Sequence, residues 1–555
     1  MTLTFAAITA PRPDAASLAA DRAAVEALID RDDLPAAIRL WDGQRRRHDS
    51  WASLVHLRFA QDTTSETAKA DRDYADALAP EATEHEIAIK RRLLGLRDRV
   101  APIVGTHALA LWDSDLATFD PAIKAALEEE ARLSAAYTAL LAGARVPFRG
   151  ETLNLPALDA FAQDPDRATR HAAEQARWAF FADNGTELDR LYDALTRLRH
   201  GMARTLGHAT YTPLGYRRMR RTDYGPEDVA RYRDQVRDHV TPLVARLLEQ
   251  RRAAHGWDRL RYWDEALIDP AGNPGPAGDH DFLVAQARAL FDGLHPSMGA
   301  FFRVMDEGGF LDLKNRPGKA GGGFCTSFPD AGVPFIFANF NGTHHDIGVF
   351  THEMGHAFQN WESRHQTLAD HLWPTMESAE IHSMSLEFLT WPGIGRMVGE
   401  AAADRFRRMH LIGALAFLPY GVCVDHFQHE VYANPDATPD ERHAMWQRLE
   451  RLYMPWTDYG DLAWPARGGR WQAKHHIYSS PFYYIDYTLA QCCALQFWAW
   501  SRRDFPAALA AYVRLCARGG EAPFQDLVRS AGLVSPFAPG ALETAVRGAE
   551  AFLAA

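Results

Sequence analysis

The run His352-Glu353-Met354-Gly355-His356 constrains this chain more than any other stretch, because its two imidazoles can share one ion only if the segment is helical. Residues i and i+4 of an α-helix lie on one face, about 5–6 Å apart, so both rings can reach a single Zn²⁺. Glu353 then falls beside the open position of the metal, where a water needs a general base. That is the layout of a zinc metallopeptidase, and its flanks suit it. Val333 to Phe340 reads as an apolar and aromatic strand, closed by the turn pair Asn341-Gly342. Thr343 is the expected N-cap, with Asp346 three residues on in a weaker capping box. Ile347, Val349, Phe350, Met354, Ala357, Phe358 and Trp361 give the following segment a helical apolar distribution.

A catalytic zinc takes three protein ligands and keeps one position free, so a later element must supply a third donor. Glu377, Glu380 and Glu387 are candidates within a second helical run from Met376 to Phe388. Glu380 is the expected ligand. It follows His352 by 28 residues, enough chain for the first helix to end and for a loop through Leu372-Trp373-Pro374 to reverse direction. Glu387 lies two turns further along the same face and suits a partner of a ligand. Glu377 is the rival.

These residues carry a resemblance. His352-Glu353-Met354-Gly355-His356-Ala357-Phe358, the later Glu380-Ile381-His382-Ser383-Met384-Ser385-Leu386-Glu387, the stretch Lys319-Ala320-Gly321-Gly322-Gly323-Phe324-Cys325 and a Tyr-rich segment near the C-terminus resemble the oligoendopeptidase F branch of the thimet oligopeptidase group of zinc peptidases. The likeness runs from about Gly207 to the C-terminus. It implies that His352, His356 and Glu380 bind one zinc ion and that Glu353 is the catalytic base. It also implies a mainly α, two-lobed zincin of the gluzincin type, with a small β-sheet beside the active-site helix and a deep central groove for oligopeptides.

The Tyr-rich segment, His475-His476-Ile477-Tyr478-Ser479-Ser480-Pro481-Phe482-Tyr483-Tyr484-Ile485-Asp486-Tyr487, has a chemical reading of its own. Peptide hydrolysis develops an oxyanion, and neutral hydroxyl and imidazole donors placed opposite a metal lower its energy. The resemblance assigns such donors to this segment and points to His476. Tyr483 and Tyr487, four apart on one helical face, are the expected tyrosines; His475 or Tyr484 take these roles if the loop around Pro481 is one residue shorter.

Other features bear on chemistry less directly. The glycines 321–323 are followed by no Gly-Lys-Ser/Thr and by a strand, so they are not a phosphate loop; their use is to let backbone approach or swing over a ligand. His426 and His429 read as buried structural groups, and His344-His345 as loop residues before the zinc helix. The strand Phe335 to Phe340 is positioned to pair with an extended substrate backbone.

The N-terminal part, from about Ala15 to Leu141, has the three-and-four apolar spacing of antiparallel helices, and Val146 to Leu155 interrupts it as a hairpin. The expected division is an N-terminal helical lobe, 1–200, and a catalytic domain, 201–555. A net charge of −12 argues against nucleic acid and anionic membranes as partners. The longest apolar run, Leu411 to Val424, is broken by Pro419 and too short for a bilayer. Residues 1–10 lack a basic leader, and five cysteines without paired metal spacing fit reduced thiols, so the expected compartment is cytoplasmic.

The expected activity is hydrolysis of internal peptide bonds in oligopeptides. One alternative is a dipeptidyl carboxypeptidase resembling angiotensin-converting enzyme, which shares His-Glu-Met-Gly-His; that family places Asp four residues after its ligand Glu, where this chain has Met384. The other is a catalytically silent helical peptide-binding protein, which the intact Glu353 argues against.

Overall fold

An unbroken apolar strand such as Val333–Phe340 needs cover on both faces and neighbours on both edges. The computed structural model, which describes residues 3–316 and 318–554, supplies both. Met1 and Thr2, where the reading of the N-terminus begins, lie outside the described residues. Among the described residues there are five short strands: a hairpin of β1 (Val146–Phe148) and β2 (Glu151–Leu153), and a sheet of β3 (Leu311–Lys314), β4 (Phe324–Phe328) and β5 (Val333–Phe340). β5 is the middle strand, parallel to β3 and antiparallel to β4, with Phe337 opposite Phe324 and Val333 opposite Phe328. β4 pairs along Val333 to Phe337 and β3 along Ile336 to Phe340, so the strand is largely paired within its own sheet, which counts against the expectation that Phe335 to Phe340 pairs with substrate. The edge strands are β3 and β4.

Helices make up most of the rest. The chain divides into two compact units, each assembled from three stretches: 1–116, 275–401 and 496–533 form the first, and 117–274, 402–495 and 534–555 the second. Residue 200, the boundary expected from sequence, lies inside the helix Gly185–Thr205 of the second unit.

In the first unit, α1 (His344–Ser363) follows β5 directly and α2 (Met376–Leu389) returns beside it. Gly355 is where the two helices meet. A Cβ built there would lie 2.5 Å from the His382 carbonyl oxygen and 2.6 Å from Ser383 Cα, so any larger residue would push α2 away. From behind, the Tyr512 hydroxyl donates to the same His382 carbonyl at 2.8 Å. The N-terminal helices fasten the loop between α1 and α2: buried Asp370 accepts from Arg45 at 2.7 Å and from Trp112 at 3.2 Å.

The second unit contains α3 (Ala403–Ala433), α4 (His475–Ser479) and α5 (Tyr484–Ser501), the last of which extends beyond that unit's stretch 402–495. α3 contains Pro419, the residue that interrupts the apolar run Leu411 to Val424. Among the described residues it is the one helix, taken as Glu400–Ala433, long and apolar enough to cross a membrane, and 56% of its apolar window is buried inside the protein. His426 and His429 lie on this helix, hydrogen-bonded to Tyr453 and Tyr216 respectively, with Asp425 paired to Arg233 alongside.

Gly355→Ala tests the helix contact. Alanine gains up to about 1 kcal/mol in helix propensity, but its methyl meets backbone atoms that cannot rotate away, and overpacking of this kind costs about 1–3 kcal/mol. A lower unfolding midpoint is expected; an unchanged or higher one contradicts the close approach.

Candidate active site

α1 starts where the turn leaves β5, and its first turn is tied to that turn. Asp346 accepts from the backbone N–H groups of Asn341 at 3.0 Å and Gly342 at 2.7 Å, with Gly342 in the left-handed region at φ 87°. Thr343 occupies the N-cap position without a side-chain cap bond; its hydroxyl donates instead to Asn341 at 2.8 Å. The expected capping box is thus replaced by a carboxylate reaching backwards. His344 already belongs to the helix, so the pair His344-His345 forms its first turn and not a preceding loop.

One turn of α1 presents His352 and His356 together, with ring centroids 5.0 Å apart. Glu380 of α2 comes between them: its Oε2 lies 3.2 Å from His352 Nε2 and 3.3 Å from His356 Nε2. The three donor atoms are within 4.8 Å of one another. Two further side chains fix their orientation. Glu387 Oε1 lies 2.8 Å from His352 Nδ1, which turns the other ring nitrogen inward, and the Ser383 hydroxyl donates to Glu380 Oε2 at 2.8 Å. The ring of Trp373, in the loop before α2, lies 5.5 Å from that of His356. Glu377 is outside the cluster and is bonded to Thr375 at 2.8 Å.

The electrostatics favour a cation at this point. Burial alone would raise the Glu380 carboxyl, yet His356 and His352 hold it well below the usual carboxylate range. Burial likewise opposes charge on His352, but Glu380 and Glu387 outweigh it and hold the imidazole well above its usual range. Two imidazole nitrogens and one carboxylate oxygen, mutually attracted and aimed at one point, are a donor set that fits Zn²⁺.

Glu353 stands apart from this set. It is buried, and burial raises its pKa, with Glu380 adding to the effect and the two imidazoles opposing it. The backbone N–H of Cys325 on β4 steadies its charged form, while its Oε2 has no hydrogen-bond partner among the described residues. Gly323 makes room at that spot: a Cβ there would be 2.9 Å from Val349 and 3.9 Å from Glu353 Oε1. The Asn339 amide of β5 donates to the carbonyls of Ala320 and Gly322, both at 2.8 Å, and so ties the glycine run to the sheet.

In the second unit His476, Tyr483 and Tyr487 form one cluster. The Tyr487 hydroxyl is 3.5 Å from His476 Nε2, a weak contact by hydrogen-bond standards, and the tyrosine rings lie 5.6 and 5.7 Å from the imidazole. The turn that brings Tyr483 there depends on Phe482, a non-glycine residue at φ 65°. Arg221 holds it by donating to its carbonyl and to buried Asp486, and Gly215 leaves space for its ring. The His475 ring lies tilted against His476 with centroids 3.8 Å apart, and Tyr484 also touches His476 but faces Tyr420 and Lys474 as well.

Sequence reasoning missed Ser383, Cys325 and Trp373. Ser383 has a helical signal, three residues after Glu380 and so on its face; Cys325 and Trp373 have none, since both arrive through tertiary structure.

Residues 160–269 and 299–546 match the family profile described as peptidase family M3, and residues 5–119 match the peptidase M3 N-terminal domain. Among solved structures, PZ peptidase A with an inhibitor is 40% identical over 99% of each chain, with a TM-score of 0.95. A structure provisionally assigned as oligoendopeptidase F is 44% identical over 100% of this chain and 99% of its own, with a TM-score of 0.95. Another of that provisional assignment, from Bacillus anthracis str. Ames, is 39% identical over 100% and 98%, with a TM-score of 0.90. No curated protein matches the chain at a significant level.

Glu387→Ala removes the group that orients His352. Zinc affinity, measured by competition with a chromogenic chelator, is expected to fall about 10–100-fold; unchanged affinity would remove Glu387 from the account.

Proposed function

The chain belongs to peptidase family M3, in its oligoendopeptidase F branch, and from that premise we propose that it is a zinc-dependent endopeptidase acting on oligopeptides. The observation that carries the proposal is the convergence of His352, His356 and Glu380 on one point beside buried Glu353. His352, His356 and Glu380 would hold Zn²⁺, which when bound would supply Lewis acidity toward the scissile carbonyl and the attacking water.

The remaining work belongs to side chains. Glu353 takes the proton of the water and delivers it to the leaving amine nitrogen. Burial raises its pKa, the direction that suits a carboxylate which must take up a proton and hand it on. Glu387 keeps the His352 ring in the tautomer that presents Nε2, and Ser383 steadies Glu380 through its hydroxyl. Extended substrate backbone pairs with β4, the edge strand that carries Cys325 beside Glu353, which gives binding tolerant of side-chain identity. His476, Tyr483 and Tyr487 are assigned as donors to the developing oxyanion; support comes from their gathering in one cluster of hydroxyl and imidazole groups. Cys325, Cys423, Cys493 and Cys516 carry free thiols, which supports a reducing, cytoplasmic setting.

Glu353→Gln is expected to retain one zinc per chain and to lose about 10²–10⁴-fold in kcat/KM on a mixed peptide library. Full activity in that variant would remove the proposed base. Mass spectrometry of the products from the unmodified protein is expected to show cuts at internal bonds; release of C-terminal dipeptides alone would contradict the endopeptidase reading. Removing zinc with a chelator is expected to abolish turnover, and adding zinc back to restore it.

A further inference from the structure

Beside His476 the second unit holds a positive charge that no carboxylate among the described residues neutralises. Lys474 precedes α4, and its backbone is fixed at both ends: its N–H donates to Trp471 at 3.0 Å, and its carbonyl accepts from Ile477 at 3.1 Å. Its ammonium lies 4.9 Å from the centre of the Tyr484 ring and 5.4 Å from that of Tyr420. Among the described residues no acidic side chain pairs with it.

The neighbouring cation shows what is missing. Arg470 lies over the same Tyr420 ring, at 4.9 Å, but is neutralised by Glu450 at 3.1 Å and Glu265 at 4.0 Å. A chain with 72 acidic and 60 basic residues has carboxylates to spare. Lys474, half-buried, nonetheless faces aromatic rings alone. Aromatic faces hold an ammonium in place through their quadrupole but leave its charge uncompensated, so an incoming anion finds a site that is already positioned and partly desolvated. The Tyr484 ring joins this site to the proposed catalytic cluster, standing 5.0 Å from His476 and 5.6 Å from Tyr487.

We propose that Lys474 anchors a carboxylate of the peptide substrate, either its C-terminal carboxylate or an acidic side chain, and so sets a preference among peptides. The proposal rests on reading His476, Tyr483 and Tyr487 as groups that meet the substrate. Lys474 is a specificity residue in this account. It takes no part in proton transfer.

Binding separates this proposal from the hydrolytic reading, because binding needs no turnover. Zinc-loaded, full-length Glu353→Gln protein is titrated into fluorescein-labelled short peptides, and anisotropy gives Kd. One peptide pair differs only in a free or amidated C-terminus; a second pair, amidated throughout, differs only in Glu or Gln at each position in turn. The charged member of at least one pair is expected to bind roughly tenfold tighter than its neutral twin. A preference in the first pair assigns the terminal carboxylate, and one in the second assigns a side chain. Adding Lys474→Gln should bring that ratio to about one, Lys474→Arg should preserve most of it, and raised ionic strength should shrink it. The proposal is overturned if charged and neutral twins bind alike in every pair, or if Lys474→Gln leaves the ratio intact. Absence of cleavage by the unmodified protein, with the binding ratio still present, would instead count against the hydrolytic reading alone.

Discussion

The contact of Gly355 with the backbone at His382 and Ser383 sets the geometry on which the rest of the site depends. Two helices bearing ordinary side chains at their crossing keep their axes about 8–10 Å apart. A glutamate on one then has to reach across that space to imidazoles on the other. With no Cβ at 355, α2 comes close enough for Glu380 Oε2 to stand 3.2 and 3.3 Å from both Nε2 atoms. Tyr512 fixes α2 from behind, and the Asp346 carboxylate fixes the start of α1 against the end of β5. Arg45 and Trp112, from the N-terminal helices, fasten Asp370 in the loop that carries Trp373 to His356. The cluster therefore rests on rigid elements at each corner.

Charge is arranged so that neighbouring carboxylates take different roles. Glu380, between two imidazoles, is held anionic, whereas Glu353, buried and touched by the field of Glu380, is pushed toward protonation. Carboxylates driven apart in pKa by their surroundings divide naturally into ligand and proton carrier. Glu387, at the outer side of His352, extends the network by one more charge and ties the first imidazole to α2 a second time. In the second unit the same economy of charge holds for Arg221 and Asp486, a fully buried pair that keeps Phe482 in its left-handed conformation and Tyr483 beside His476.

What could be read from the sequence was what short-range periodicity carries. The strand, turn and helix around His352, and the second helix bearing Glu380, follow from apolar spacing and turn residues within a few tens of positions. The placement of β5 in the middle of its sheet was not readable, since an apolar run looks the same whether its edges are paired or free; β3 and β4 decide that. The cap of α1 escaped because Asp346 serves amides before the helix, not within it. The division of the chain was also hidden, because each unit is interleaved from three stretches and no local composition marks where one resumes. Phe482 shows the limit most directly: its positive φ is imposed by Arg221, some 261 residues earlier in sequence.

The most direct test of the central claim is X-ray absorption at the zinc edge of the metal-loaded protein. The account predicts two imidazole nitrogens at about 2.0–2.1 Å and carboxylate or solvent oxygen completing a low-coordinate shell. A sulfur scatterer at about 2.3 Å, or a shell without the multiple-scattering signature of histidine, would contradict it.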